Sequence, residues 1–340
     1  MKKIIIFRTD RLGDFIINSR TIYELKNKFD DVKLTIVCSE MNKKIISKFN
    51  FIDEVITYNK KYNFFQKIKI FFNIIRNSYY ASFVMDGKNF SFLCNAFLRS
   101  KYKLGISYRN SKKIFNLKIN FYRPSLIYRF FFLDKYEIFT SKKNLVEIEP
   151  LVDKYINIFK NFNNKISPKD EYIFENSNDN ENKFHLISKN LNLKKFIVIH
   201  LDEKWLDINN IENELFSELV MFQKKIDCKV LLTAFNNNFS YFQKIKEKFA
   251  YYNFNDLDSE FYNISTDSNI IILDNVEIFL FEKFLNYSKI NISCHSGFIV
   301  QVCGANGSNL IDIINENDFI WYSCWKPQNT FHKFIYKSLN

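Results

Sequence analysis

The residues of this 340-residue chain that could do chemistry fall at three places, each directly after a run of apolar residues. Arg8-Thr9-Asp10-Arg11-Leu12-Gly13-Asp14 follows Ile4-Ile5-Ile6-Phe7, Asp202-Glu203-Lys204-Trp205 follows Val198-Ile199-His200-Leu201, and His295-Ser296-Gly297 follows Ile292-Ser293-Cys294. Two arginine forks, a glycine and a carboxylate at the entry to a helix are suited to hold an anion beside a base. Asp14 could take a proton from a hydroxyl. It could equally be a first-turn carboxylate that caps the helix. Arg8 and Arg11 could meet a phosphate or carboxylate, or only solvent. Lys204 could neutralise charge developing on a phosphate leaving group, or lie on a solvated loop. The small Ser296-Gly297 turn would bare backbone N–H groups to a diphosphate, whereas His295 could be a satisfied buried histidine. Cys294 and His295, as neighbours on a strand, would point to opposite faces and make a poor nucleophile and base.

These residues need strands to deliver them and helices to follow. Ile4–Phe7, Leu34–Cys38, Glu54–Tyr58 and Phe83–Asp86 read as strands with helical patterns between several of them. A second series runs through Phe196–His200, Val230–Thr233, Ile270–Leu273, Ile290–Cys294 and Leu310–Ile314. Such alternation predicts mostly parallel sheets covered by helices on both faces, with ligands at the strand carboxyl ends. The pattern is less regular from Ile106 to Pro150, and Leu151–Phe162 reads as a helix leaving the first domain. The expected organisation is a domain at 1–165, a polar linker at 166–185, a domain at 186–326 and a segment at 327–340 that could pack back on the first domain.

Nearly half of the residues are hydrophobic, which excludes disorder. The net charge of +12 is uneven: residues 1–165 hold 32 Lys and Arg against 14 Asp and Glu, and the remainder 17 against 23. The basic half would attract phosphates on a saccharide, a lipid surface or a nucleic acid. No RNA- or DNA-binding motif is recognisable, and the acidic half would oppose a long polyanion. The six scattered cysteines, without a paired spacing, read as reduced cytosolic thiols. No apolar run is long enough to span a bilayer. Residues 60–76 form a basic amphipathic pattern that could lie on an anionic membrane or cover the sheet, and Phe121–Tyr136 adds a second basic, aromatic stretch. The one Asp-x-Asp pair, Asp256-Leu257-Asp258, reads as a solvated loop rather than a metal site.

Taken together, these stations resemble the ADP-heptose:lipopolysaccharide heptosyltransferases, glycosyltransferase family 9. The opening Arg8–Asp14 segment and Phe51-Ile52-Asp53-Glu54-Val55-Ile56 are its most specific carriers, with Tyr102-Lys103-Leu104-Gly105-Ile106, Val198–Trp205 and Ile292–Gly297 as weaker ones. The resemblance implies an α/β chain of GT-B fold, two Rossmann-like domains facing each other across a cleft. It implies an inverting, metal-independent transfer of heptose or another sugar, without a cofactor, from a nucleotide-diphosphate sugar such as ADP-heptose. The acceptor would be lipid-linked or phosphorylated, within lipopolysaccharide, O-antigen, capsule or a related surface glycan.

By the same resemblance Asp14 is the base, and Lys204 contacts the donor phosphates and shares in catalysis. His200, Trp205, His295, Ser296 and Gly297 join Lys204 at the donor, and Arg8, Asp10, Arg11 and Gly13 hold the acceptor or a phosphate. His295 stands where the family has an aspartate, Val300 falls near its histidine, and its threonine-rich phosphate loop has no counterpart at Leu201-Asp202. A diverged branch, whose donor is ADP-heptose or another nucleotide sugar, is the expectation. Its place would be the cytoplasm, with peripheral contact on the anionic inner membrane as an option. A non-catalytic nucleotide- or glycan-binding protein that kept the fold is the alternative, and nucleic acid is not an expected partner.

Overall fold

The computed structural model describes residues 1–29, 31–115, 117–166, 178–208, 211–234, 240–247, 249–253, 269–327 and 331–337. The chain divides into two units, Met1–Glu175 with Ser323–Trp325, and Asn176–Tyr322 with Lys326–Asn340.

The first unit is built on β1 (Lys2–Arg8), β2 (Val32–Ser39), β3 (Glu54–Tyr58), β4 (Ser78–Val84), β5 (Arg99–Ile114), β6 (Leu117–Arg123) and β7 (Lys135–Thr140). The sheet order is β3-β2-β1-β4-β5-β6, with β7 also pairing β5, and every pairing is parallel except β5 with β6. Isoleucines 4, 5 and 6 and Phe7 are all fully buried. That is the pattern of a central parallel strand covered on both faces, where β-branched side chains pack well. The covering helices are α1 (Leu12–Asn27), α2 (Glu40–Ile46), α3 (Phe64–Ile75), α4 (Asn89–Phe97), α5 (Leu126–Phe132) and α6 (Leu151–Phe162). The irregular stretch after Ile106 opens with the long β5–β6 antiparallel pair, whose mostly exposed residues include the apolar–polar alternation Leu117-Lys118-Ile119-Asn120-Phe121. Helix α3 covers the sheet, one of the two readings of 60–76: Ile74 is buried and Ile70 and Phe71 pack on the core, while Phe64, Phe65 and Phe72 stand exposed.

The second unit carries α7 (Asn178–Asn190), β8 (Phe196–Leu201), α8 (Ile211–Lys225), β9 (Lys229–Ala234), α9 (Ser240–Lys246), β10 (Ala250–Asn253), β11 (Ile270–Asp274), α10 (Ile278–Tyr287), β12 (Asn291–Ser293), α11 (Gly297–Asn306), β13 (Leu310–Ile314), α12 (Phe319–Trp325) and β14 (His332–Tyr336). Its sheet runs β10-β11-β9-β8-β12-β13-β14, parallel throughout. The terminal segment differs from the expectation. Residues 332–336 add an edge strand to β13 of the second sheet instead of returning to the first domain, because their backbone completes the exposed ladder of β13. Only Ser323–Trp325 groups with the first unit. Residues 167–177 of the expected linker and the pair Asp256 and Asp258 lie outside the described residues.

The strand order reverses between β1 and β4 in the first sheet and between β8 and β12 in the second, whose far edge also exchanges β10 and β11. In open parallel sheets the loops leaving two such strands splay apart and leave a crevice at their carboxyl ends. Three of the four loops at these points are the stretches singled out from sequence, and the fourth begins at Asp86.

Candidate active site

In the first unit, the loop after β1 is organised by a buried cation. The side chain of Arg8 is 0% exposed, and its Nη1 donates to the Met85 carbonyl. Its Nε donates to the Asp14 carbonyl at 2.8 Å and its Nη2 to the Tyr155 hydroxyl at 3.1 Å. Asp10 lies 3.2 Å away and the Asp14 carboxylate 3.7 Å. Burial alone would lower the guanidinium pKa, but Asp10, Tyr155 and Asp14 outweigh it and keep Arg8 charged. Arg8 thus meets neither of the two expectations for it, an anionic ligand or solvent: it turns inward, where its donors are taken up by the interior. Gly13, too, is buried in the first turn of α1 rather than open to a ligand.

Asp14 occupies the third position of α1, where its Oδ2 accepts from the Arg11 N–H at 3.2 Å. The cap reading is therefore geometrically real. Yet its side chain remains 19% exposed, so one carboxylate can both cap and receive a proton. Burial pushes the Asp14 pKa above the ordinary carboxylate value, with Arg8 opposing. Burial likewise pushes Asp10 well up, again against Arg8. Arg11 is exposed, which leaves it as the arginine of this loop at the surface.

Across the reversal point, Asp86 ties the second loop down. Its Oδ2 accepts from the Thr9 N–H and hydroxyl and from Ser91, at 3.1, 2.6 and 2.8 Å, and its Oδ1 from the Lys88 N–H at 3.0 Å. Gly87, at φ +60°, lets this turn pass 2.2 Å from the Tyr108 ring, measured from where a Cβ would stand. Asp86 followed an apolar strand as the other site residues did, and that signal could have found it.

In the second unit, Asp202 caps the turn at Glu203–Asp207 by accepting from the Lys204 N–H at 3.0 Å. Burial, against Lys204, pushes its pKa up to about 6. The Lys204 Nζ donates to the His295 carbonyl and lies 5.8 Å from the centre of the Tyr322 ring. The loops after β8 and β12 are thus joined by one ammonium. Ser296 precedes α11 without a side-chain cap, and Ser296 and Gly297 are half-exposed. A helix N-terminus beside a lysine is a place for a phosphate.

His200 and Trp205 have different places from those expected. His200 is 1% exposed, its Nδ1 is 3.0 Å from the Thr233 hydroxyl, and burial pulls its pKa down to about 3. Trp205 is packed in the core of the second unit with its indole N–H on the His200 carbonyl at 2.8 Å. Both side chains are taken up by the interior of the second unit rather than standing open to a ligand. His295 is 6% exposed with φ +52°, and its ring stacks on Tyr322 with centroids 3.5 Å apart. Its Nδ1 is 2.6 Å from Asp312, which also lies 3.1 Å from His332 Nε2. Asp312 and His332 carry no sequence signal, since each lies within a strand and far along the chain from the loop it supports.

No protein-family model and no curated protein matches this sequence. Solved structures do match in shape. A family 9 glycosyl transferase from Veillonella parvula is 13% identical, with a TM-score of 0.69 over 98% of this chain and 86% of that one. This chain has the GT-B fold. An E. coli heptosyltransferase solved with ADP has it too, at 10% identity and a TM-score of 0.62, covering 98% of this chain and 93% of that one. So does a UDP-GlcNAc 2-epimerase from Methanocaldococcus jannaschii, at 13% identity and 0.54, covering 99% and 89%. GT-B proteins thus include both transferases and epimerases, and the choice of chemistry falls to the side chains.

Proposed function

We propose that this protein is an inverting, metal-independent glycosyltransferase that uses a nucleotide-diphosphate sugar and a lipid-linked or phosphorylated saccharide of a surface glycan. The observation that carries the reading is the Lys204 ammonium bound to the His295 carbonyl at the strand-order reversal of the second sheet, beside the uncapped start of α11. The donor diphosphate sits there, and Lys204 and the helix N–H groups stabilise the charge that grows on the departing nucleotide. Asp14 accepts the acceptor hydroxyl's proton as that oxygen forms its bond to the anomeric carbon. The bond to the diphosphate breaks on the opposite face, so the configuration inverts. Arg11 and Lys88 attract the anionic acceptor. Arg8 acts through Asp14, and Asp10 through Arg8. Heptose is one candidate sugar.

Lys204→Ala is expected to lower turnover by roughly 10²–10³, with weaker donor binding. Steady-state release of the nucleoside diphosphate from a nucleotide sugar measures it. Turnover and affinity equal to wild type would remove Lys204 from the site.

We also propose that the first unit rests on an anionic bilayer, as a lipid-linked acceptor requires. Phe65, Phe115 and Phe130 are 78, 95 and 83% exposed. Ring contacts join α3 to α4 through Phe71 and Phe97, and α4 to α5 through Phe92 and Tyr128. The neighbouring lysines supply charge complementary to acidic headgroups. Flotation with phosphatidylglycerol vesicles should recover the protein at low salt and lose it at high salt. The double variant Phe130→Asp, Phe131→Asp should bind several-fold less. Equal recovery of that variant, or equal binding to neutral vesicles, would contradict membrane contact here. Among the described residues no helix is long and apolar enough to cross a membrane.

A further inference from the structure

We infer that Asp312 and His295 form a hydroxyl-accepting unit at the donor site, in which the carboxylate holds the imidazole so that Nε2 receives a hydroxyl of the ribose or of the transferred sugar. This rests on the donor reading above and specifies how that site recognises carbohydrate. Ser293 and Asp312 are partners in the β12–β13 ladder, which sets Asp312 directly under the loop that carries His295. The carboxylate is fully buried, 2.6 Å from His295 Nδ1 and 3.1 Å from His332 Nε2. An ionised carboxylate only accepts, so each of these nitrogens must carry its proton.

Burial pushes the Asp312 pKa up, but the two histidine hydrogen bonds outweigh it and hold the group below the usual carboxylate value. Burial pulls His295 down against Asp312, favouring the neutral ring. A neutral imidazole whose single proton is on Nδ1 presents a lone pair at Nε2. Among the described residues that nitrogen has no hydrogen-bond partner, although the side chain is only 8% exposed. The stacked Tyr322 ring fixes the plane of the imidazole. The bond from Lys204 to the His295 carbonyl places the acceptor next to the cation and the α11 N-terminus. A neutral acceptor at that point takes a hydroxyl while the full negative charge stays on the buried Asp312, behind the ring rather than against a diphosphate. Asp312 is accordingly a positioning residue.

The chain has four histidines, few enough to resolve by long-range 15N–1H NMR, with His295→Asn to assign the signal. Wild-type His295 should show the Nδ1–H form, and Asp312→Asn should shift it toward Nε2–H. An Nε2–H form in the wild type overturns the inference. Calorimetry on the wild-type chain with ADP, GDP and UDP, their 2′- and 3′-deoxy forms, and the deoxy-sugar forms of whichever nucleotide sugar binds gives the second readout.

Deleting the contacted hydroxyl should weaken wild-type binding about tenfold, and His295→Ala should no longer distinguish the two ligands. Loss with the deoxynucleotide assigns the ribose, and loss only with the deoxy-sugar assigns the sugar. If His295→Ala discriminates as wild type does, the inference fails and the donor reading stands. If no nucleotide binds the wild type, both fall.

Discussion

Asp14→Asn should reduce turnover by roughly 10²–10⁴ while leaving nucleotide-sugar affinity and melting temperature close to wild type. The asparagine side-chain oxygen can still accept the Arg11 N–H that Asp14 accepts at 3.2 Å, so the helix cap survives. What is lost is the capacity to hold a proton. The variant thereby separates the two roles that one carboxylate could play: a residue needed only as a cap would leave turnover normal. The acid side of the pH profile carries the same distinction. Burial raises the Asp14 pKa over the opposing pull of Arg8, and the base must be ionised to act. Activity should therefore fall as the pH drops through a value above the ordinary carboxylate range, and that limb should be absent in the asparagine variant. Steady-state rates across pH, paired with calorimetric donor binding, check both.

Arg8→Ala is expected to destabilise the first unit by about 3–5 kcal/mol, a drop in melting temperature of roughly 6–20 °C. The cause is the company that Arg8 keeps. Its removal takes a charged donor from the Met85 carbonyl and one of two side-chain donors from the Asp14 carbonyl, which keeps the Asn18 amide, and leaves Asp10 and Asp14 without a buried counter-charge. Arg8→Lys should rescue only part of this, since one ammonium cannot reach acceptors on several sides as a guanidinium does. Adding Asp10→Asn to Arg8→Ala should recover stability beyond the sum of the single effects, because it removes the orphaned carboxylate. A melting temperature within 2 °C of wild type for Arg8→Ala would mean that the guanidinium is solvated and that the loop is held by something else.

The contrast between these two residues shows what was legible in the sequence. Ile4–Phe7 announced a buried strand, the following turn announced a helix entry, and the site loops indeed follow strands at the points where the strand order reverses. That much depends on local periodicity. Whether a side chain at a strand end faces a ligand or the interior depends on what covers it, and for Arg8 the cover is Tyr155, 147 positions away. His200 was misplaced for the same reason, its partner being Thr233 on the neighbouring strand. Asp312 and His332 were invisible because a polar residue inside a parallel strand has no distinguishing local pattern, and its meaning comes only from the loop that the sheet brings over it. The terminal strand escaped as well, since β14 is defined by the ladder edge that it completes rather than by its own mixed residues.

The central claim is that this GT-B chain transfers sugar, and mass spectrometry of the acceptor tests it most directly. The wild type and Asp14→Asn are incubated with a panel of nucleotide-diphosphate sugars and with lipid-linked and phosphorylated saccharides from surface-glycan precursors. The predicted result is one added sugar residue on an acceptor with stoichiometric release of nucleoside diphosphate, seen with wild type and nearly absent with Asp14→Asn at equal donor occupancy. A wild-type protein that binds a nucleotide sugar yet adds mass to no acceptor, or an Asp14→Asn variant that transfers at the wild-type rate, would contradict it.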